Sequence, residues 1–196
     1  MSKTTHSGVP DDLPSTENFS PATRWHLSKT PLEAATTEFE WALLRWHAAF
    51  DRYYLHTLNM LGFSGVTISE MLILHIVRLH DRPKPANMIT SLLNRDDTQN
   101  VQYSLRKLLS AGLIEKAKDN AGKNANLSVT DEGRRLCDAF ATLRKELLIA
   151  NIAQIENNES RLLYSAKTVS ILTGLYDEVG RTSTGYTTRA ALADNT

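Results

Sequence analysis

Apolar positions first fall into register at Leu32. Leu32, Phe39, Trp46 and Tyr53 recur at seven-residue intervals, with Leu43 and Phe50 between them, and neither Pro nor Gly interrupts the run to Met60. This spacing predicts a long helix with one continuous apolar face over 32–62. A second apolar line (Trp41, Ala48 and Leu55, with Leu44 and Leu58 beside it) runs round the same helix. A helix apolar on two sides needs two surfaces to pack against. One is its own domain, and a second copy of the chain is expected to supply the other.

Gly62 and Gly65 break the pattern, and Thr67-Ile68-Ser69-Glu70 then has the spacing of a capping box. Met71 to Leu79 is apolar nearly all round, which predicts a central second helix. Asp81-Arg82-Pro83-Lys84 reads as a loop, and Pro85 suits the first position of a short third helix carrying Met88, Ile89, Leu92 and Leu93. Asn94-Arg95-Asp96 reads as a turn, with Asp97 as N-cap of a fourth helix. In that helix Val101, Leu105, Leu108 and Leu109 form the inward stripe. Thr98, Gln99, Asn100, Gln102, Tyr103, Arg106 and Lys107 take the rest of its surface, and Gly112 is expected to end it in the left-handed conformation.

Leu113–Lys118 and Asn126–Thr130 read as antiparallel strands joined by the polar loop Asp119–Ala125. Thr130 is expected to cap a fifth helix with the stripe Leu136, Phe140, Leu143 and Leu147. A sixth, from about Asn158 to Val179, carries Leu162, Val169, Leu172, Leu175 and Val179. The expected fold is mainly α with a small β-hairpin wing: a winged helix-turn-helix core with long N- and C-terminal dimerisation helices. The expected organisation is a flexible tail over 1–31, the first dimerisation helix over 32–62 and a winged-helix DNA-binding region over 66–131. C-terminal dimerisation helices over 132–180 and a second flexible tail over 181–196 complete it.

Composition changes this picture in one place. The 196 residues balance 22 Lys+Arg against 22 Asp+Glu, an average that speaks against a nucleic-acid partner. Between Arg82 and Lys123, however, eight basic residues (Arg82, Lys84, Arg95, Arg106, Lys107, Lys116, Lys118, Lys123) face four acidic ones (Asp96, Asp97, Glu115, Asp119), a local charge of +4. A basic centre between acidic flanks is the footprint a phosphate backbone requires. The single cysteine, Cys137, excludes a disulfide framework and any multi-cysteine metal site. Beside an apolar stripe and without an evident activating base, it reads as a packed hydrophobe. No apolar run is long enough to span a bilayer, and Met1–His6 has no apolar signal core. A cytoplasmic location without membrane contact is expected.

The run Leu92–Asp119, LLNRDDTQNVQYSLRKLLSAGLIEKAKD, with the return NLSVTDEG at Asn126–Gly133, resembles the MarR family of bacterial transcription regulators. The shared features are a capped recognition helix, a Leu-x-x-Ala-Gly-Leu-Ile exit, a charged wing and a Leu-x-Val-Thr-x-x-Gly return. The resemblance is strongest over Thr67–Gly133. It implies a homodimer on double-stranded DNA, with the fourth helix in a major groove and the wing along the minor groove. It also implies release by a small aromatic ligand. The chain departs from the family at the wing tip, where an Asp-x-Arg is usual: between Asp119 and Ala125 the one basic residue is Lys123, which lacks the planar fork of arginine.

A polar outer face is the default for any amphipathic helix. Here, though, Gln, Asn and Arg, the residues that bond bidentately to adenine and guanine, crowd the half of the fourth helix that would enter a groove. Gln99, Asn100, Gln102, Tyr103 and Arg106 are the expected base contacts, with Thr98 beside them. Arg95, Lys107, Lys84 and Lys123 are expected to hold phosphates. Trp46, Tyr53 and His75 are the candidates for an effector cavity. The histidines lack metal-ligand spacing, and no Gly-rich phosphate loop or nucleophile with a spaced base is found, so neither a cofactor nor an enzymatic activity is expected. The competing reading is a winged helix used for protein–protein assembly, for which apolar anchors on the fourth helix would be the sign.

Overall fold

The computed structural model describes residues 26–93, 98–117 and 126–183. The chain divides into two units, Pro21–Ala150 and a second that takes in Asn151–Thr196.

The first unit begins with α1 (Pro31–Met60), one residue ahead of the apolar register. Thr30 and Glu33 make a reciprocal capping box there, the Glu33 carboxylate accepting from the N–H groups of Lys29 and Thr30. Those backbone bonds hold its carboxyl below the usual range. The two apolar lines of α1 have different fates along its length. Toward the carboxyl end Tyr54 and Leu58 enter the core, with Phe50, Tyr53 and Leu61 packed against it. Toward the amino end Leu32, Trp41, Leu44 and Trp46 are exposed.

α2 (Ile68–Arg78) is central, with Met71, Ile73, Leu74 and Val77 buried. It packs against α1, α3 (Ala86–Leu92), α4 (Thr98–Ser110), β2 (Leu127–Val129) and α5 (Asp131–Leu143). Its Thr67–Glu70 capping box forms as the spacing predicts. Pro85 is the N-cap of α3, not its first residue, because its ψ of 152° is extended. Of the four apolar residues assigned to α3, Ile89 is buried and Leu93 partly so, whereas Met88 and Leu92 are exposed. The Asn94–Asp96 turn and the Asp97 cap lie outside the described residues.

α4 buries Val101, Leu105 and Leu108, and also Ser104, which the apolar pattern could not show. It closes as expected: Gly112 has φ 67°, its N–H donates to Leu109 and that of Leu113 to Leu108. These are the two bonds of a Schellman cap, with Leu108 and Leu113 both in the core. β1 (Ile114–Lys116) pairs antiparallel with β2, Ile114 opposite Val129 and Lys116 opposite Leu127. The segment read as a loop adds to this sheet, since Lys84 and Leu127 exchange both backbone hydrogen bonds.

Four elements meet at the root of the hairpin. The Thr130 hydroxyl accepts from Gly133 N–H, capping α5, and donates to the Gly112 carbonyl at 2.6 Å. Gly133 lies so close to β1 that a Cβ there would stand 2.1 Å from the Leu113 carbonyl oxygen. α5 then sends Leu136, Cys137 and Phe140 into the core, so this helix packs as part of the winged unit. Beyond Leu143 the helix widens into a π-helical segment, Arg144–Ile149. The longer turn rotates the following residues off the stripe, so Leu147, expected in line with Phe140, is exposed.

In the second unit a turn at α6 (Ala150–Ile152) is followed by α7 (Asn158–Ser183). α7 extends to Ser183, past Val179, into the first residues of the segment expected as a tail. None of its residues is buried, and Leu162, Leu163, Ile171, Leu175 and Val179 are exposed. No helix among the described residues is long and apolar enough to cross a membrane.

Replacing Gly133 with Ala is expected to lower the unfolding free energy by about 3 kcal/mol, because backbone must move to admit the methyl group. Urea denaturation measures it; an unchanged midpoint would contradict the close approach.

Candidate nucleic-acid interface

α4 presents two faces. Opposite the buried stripe, Thr98, Gln99, Asn100, Tyr103 and Arg106 are exposed, and Gln102 and Lys107 are partly so. Gln99, Tyr103 and Arg106 are spaced i, i+4 and i+7, so their side chains share one outward stripe. The face offers amide, phenol and guanidinium groups in a row, and no aliphatic side chain interrupts the exposed set.

Two expected phosphate ligands are placed differently. Lys84 is buried, 4% exposed, and its ammonium donates to the carbonyls of Val77 (3.0 Å), Arg82 (2.9 Å) and Leu79. These include carbonyls at the end of α2 and in the turn beyond it, where His80 and Asp81 adopt positive φ. The ammonium satisfies carbonyls that the helix leaves open. Desolvation lowers its pKa, Arg82 adds to that, and Asp81 offsets part of it. The sequence reading of Lys84 as a phosphate contact is therefore corrected: its donors are spent on backbone. Lys107 also has a partner, Glu70, at 2.7 Å. Arg95 and Lys123 lie outside the described residues. Among the described residues of this stretch, Arg82, Arg106 and Lys116 are exposed cations.

The residues proposed for an effector come together in part. Tyr53 and His75 both meet the ring of Phe140, with centroids 6.0 and 5.1 Å away. Tyr54 packs on the same ring at 4.8 Å. Trp46 does not reach Phe140: it is exposed and connects through a stack along α1, Trp46 on Phe50 at 5.0 Å and Phe50 on Tyr54 at 4.5 Å. The Tyr53 hydroxyl is buried without a hydrogen-bond partner among the described residues. Burial holds the His75 imidazole below its ordinary value, with the guanidiniums of Arg78 and Arg144 acting in the same direction. Burial raises the Tyr54 phenol. It also pushes the Cys137 thiol up, an effect Arg78 only partly offsets, as suits a packed thiol.

Arg78 ties the end of α2 to α5, donating to the Arg134 carbonyl at 3.0 Å and pairing with Asp138 at 2.6 Å. Arg134 in turn pairs with Asp81. The sequence reading missed this network and also Glu70, which it took for a cap alone. Glu70 was nevertheless visible as a carboxylate at the head of an otherwise apolar helix, a group that cannot be buried unpaired.

Residues 66–133 match a family model described as a winged helix DNA-binding domain. Several solved structures share the fold. The S. aureus MepR–DNA complex is 19% identical, covering 70% of this chain and 97% of that one with a TM-score of 0.57. A mutant MarR from E. coli complexed with operator DNA is 18% identical, covering 67% and 93% with a TM-score of 0.56. Streptococcus pneumoniae FabT in complex with DNA is 16% identical, covering 72% and 99% with a TM-score of 0.53. The chain has the fold of the MarR-type regulators. No curated protein sequence matches it significantly. In this MarR-type fold α3 and α4 form the helix-turn-helix and β1 and β2 the base of the wing, with α4 braced from below by α2.

Lys84→Met is expected to lower stability by about 2–4 kcal/mol through the carbonyls it leaves open; a thermal melt unchanged from wild type would contradict the buried ammonium. His75 gives a pH dependence whose sign follows from its lowered pKa. In the unfolded chain it takes up a proton near its ordinary value, about 6.5, and in the folded protein only at lower pH. Stability from this group is therefore present above about pH 6.5 and lost as pH falls through the folded value. His75→Phe is expected to shrink the drop in urea midpoint between about pH 7.5 and about pH 5.5; an equal drop in both proteins counts against it.

Proposed function

We propose that this protein is a dimeric, sequence-specific DNA-binding transcription regulator of the MarR type, acting as a repressor. The observation that carries the reading is the outward face of α4, where Gln99, Asn100, Tyr103 and Arg106 are exposed above a fully packed inner stripe. Amides and a guanidinium bond bidentately to adenine and guanine edges, and a helix of this kind enters a major groove through its amino-terminal half. Thr98 and Gln102 complete the base-facing set. Arg95 and Lys123 are the proposed phosphate contacts, and the wing lies along the minor groove. The match to a winged helix DNA-binding domain supports the same reading, as do DNA-bound proteins of this fold. Repression requires nothing beyond occupying a promoter.

Dimerisation is supported by apolar surface that each unit leaves uncovered. Leu32, Trp41, Leu44 and Trp46 on α1 are exposed, as are Leu162, Ile171, Leu175 and Val179 on α7. Two copies would read an inverted repeat with half-sites about one helical turn, or a multiple of it, apart. A small aromatic effector is the proposed release signal. The Tyr53–His75–Phe140 cluster supports it, since the Tyr53 hydroxyl is buried without a partner among the described residues. Trp46 would line the outer edge of such a site.

A titration on the DNA flanking the protein's own gene, with excess non-specific competitor and at two salt concentrations, tests the reading. The expected result is competitor-resistant, salt-sensitive binding to one inverted repeat; binding that competitor abolishes would overturn it. Arg106→Ala is expected to cost roughly 1–3 kcal/mol in operator binding and to relax the base preference at one position. Unchanged affinity and preference would remove Arg106 from the base-reading set.

A further inference from the structure

Glu70 is 3% exposed, and both of its carboxylate oxygens are occupied. Oε2 accepts the N–H of Thr67 at 2.9 Å, inside α2's own cap. Oε1 takes the ammonium of Lys107 at 2.7 Å, and Lys107 belongs to α4. The same ammonium stands 5.9 Å from the centroid of the Tyr103 ring, one helical turn back along α4. One cation thus touches a buried anion on one side and the face of an exposed aromatic on the other. The ring sits between Gln99 and Arg106 on the outward stripe.

The geometry is selective. Val101, Leu105 and Leu108 fix which face of α4 is inward, but hydrophobic burial is itself non-directional and defines the fine setting of the helix only loosely. A charge-assisted hydrogen bond to a buried carboxylate does have direction. A rotation that separated Lys107 from Glu70 would leave a buried charge unpaired, which is costly. The hydrogen bond to Glu70 also raises the Lys107 pKa, so the ammonium stays charged across the physiological range.

We propose that Glu70 and Lys107 are a positioning pair that sets the rotation of the recognition helix and the orientation of Tyr103, and thereby the discrimination between DNA sequences. Lys107 does this without serving as a phosphate contact. The inference rests on the DNA-binding reading above and deepens it, naming residues beneath the contact face that decide what that face reads.

The two roles open to Lys107 separate by measurement. A phosphate contact, when lost, weakens binding to all sequences alike and lowers the salt slope by about one unit. A positioning residue, when lost, reduces the ratio of operator to non-specific affinity and leaves the slope where it was. Lys107→Met keeps the stem and removes the charge. It is expected to lower that ratio by about tenfold, with the slope unchanged. Because Lys107→Met strands a buried carboxylate, Glu70→Gln/Lys107→Met is measured beside it. The double variant is expected to regain stability in urea while discrimination stays low. Recovery of discrimination together with stability would overturn the proposal, as would a slope lowered by one unit. Hydrogen exchange on the free protein provides a readout that needs no DNA. Faster exchange of α4 amides is expected in Lys107→Met and again in the double variant; wild-type protection in both would overturn the pair's role. A wild-type protein that binds no operator would sink the DNA-binding reading, and this proposal about specificity with it. A wild type that binds while the variants discriminate as well as it does would sink the proposal alone.

Discussion

The hairpin root depends on one close approach of backbone to backbone, Gly133 against the carbonyl of Leu113. Only a residue without a Cβ lets α5 start there. Thr130, three residues earlier, uses its hydroxyl twice, capping α5 and tying the Gly112 carbonyl that ends α4. The exit of α4, the start of β1, the end of β2 and the first turn of α5 are thereby fixed within a few ångströms of each other. The outward stripe of α4 and the base of the wing inherit their mutual geometry from that junction.

From there the helical core carries the rest. α2 is buried on most sides, and polar groups at both of its ends are matched to specific partners. At the amino end Glu70 binds its own cap and Lys107 of α4. At the carboxyl end Lys84 takes up open carbonyls, while Arg78 reaches across to Arg134 and Asp138 on α5. Apolar packing gives this unit its stability and sets which face of each helix is inward. The ion pairs at the two ends of α2 add contacts that do have direction, Glu70 with Lys107 of α4 and Arg78 with Asp138 of α5.

This arrangement changes how the basic centre of the sequence is read. Eight basic residues between Arg82 and Lys123 suggested a uniform electrostatic patch. Lys84 is buried against backbone carbonyls, and Lys107, itself partly exposed, is paired with the buried carboxylate of Glu70. Exposed cations among the described residues are therefore fewer than the charge count implies.

Much of the fold was legible in the residues themselves, for local reasons. The Thr67–Glu70 capping box, the left-handed Gly112, the strand pair and the apolar stripes of α2, α4 and the first turns of α5 all follow from spacing that needs no distant partner. The polar outer face of α4 was legible for the same reason. What the sequence could not give was the destination of long side chains. A lysine next to a loop reads as a surface charge, and whether it turns outward or inward depends on carbonyls and carboxylates that only folding brings near. Lys84, Lys107 and Glu70 were decided that way. So were the exposure of Leu147 beyond a π-helical turn and the meeting of Tyr53 with His75 on Phe140, because each depends on how separate helices are turned against one another.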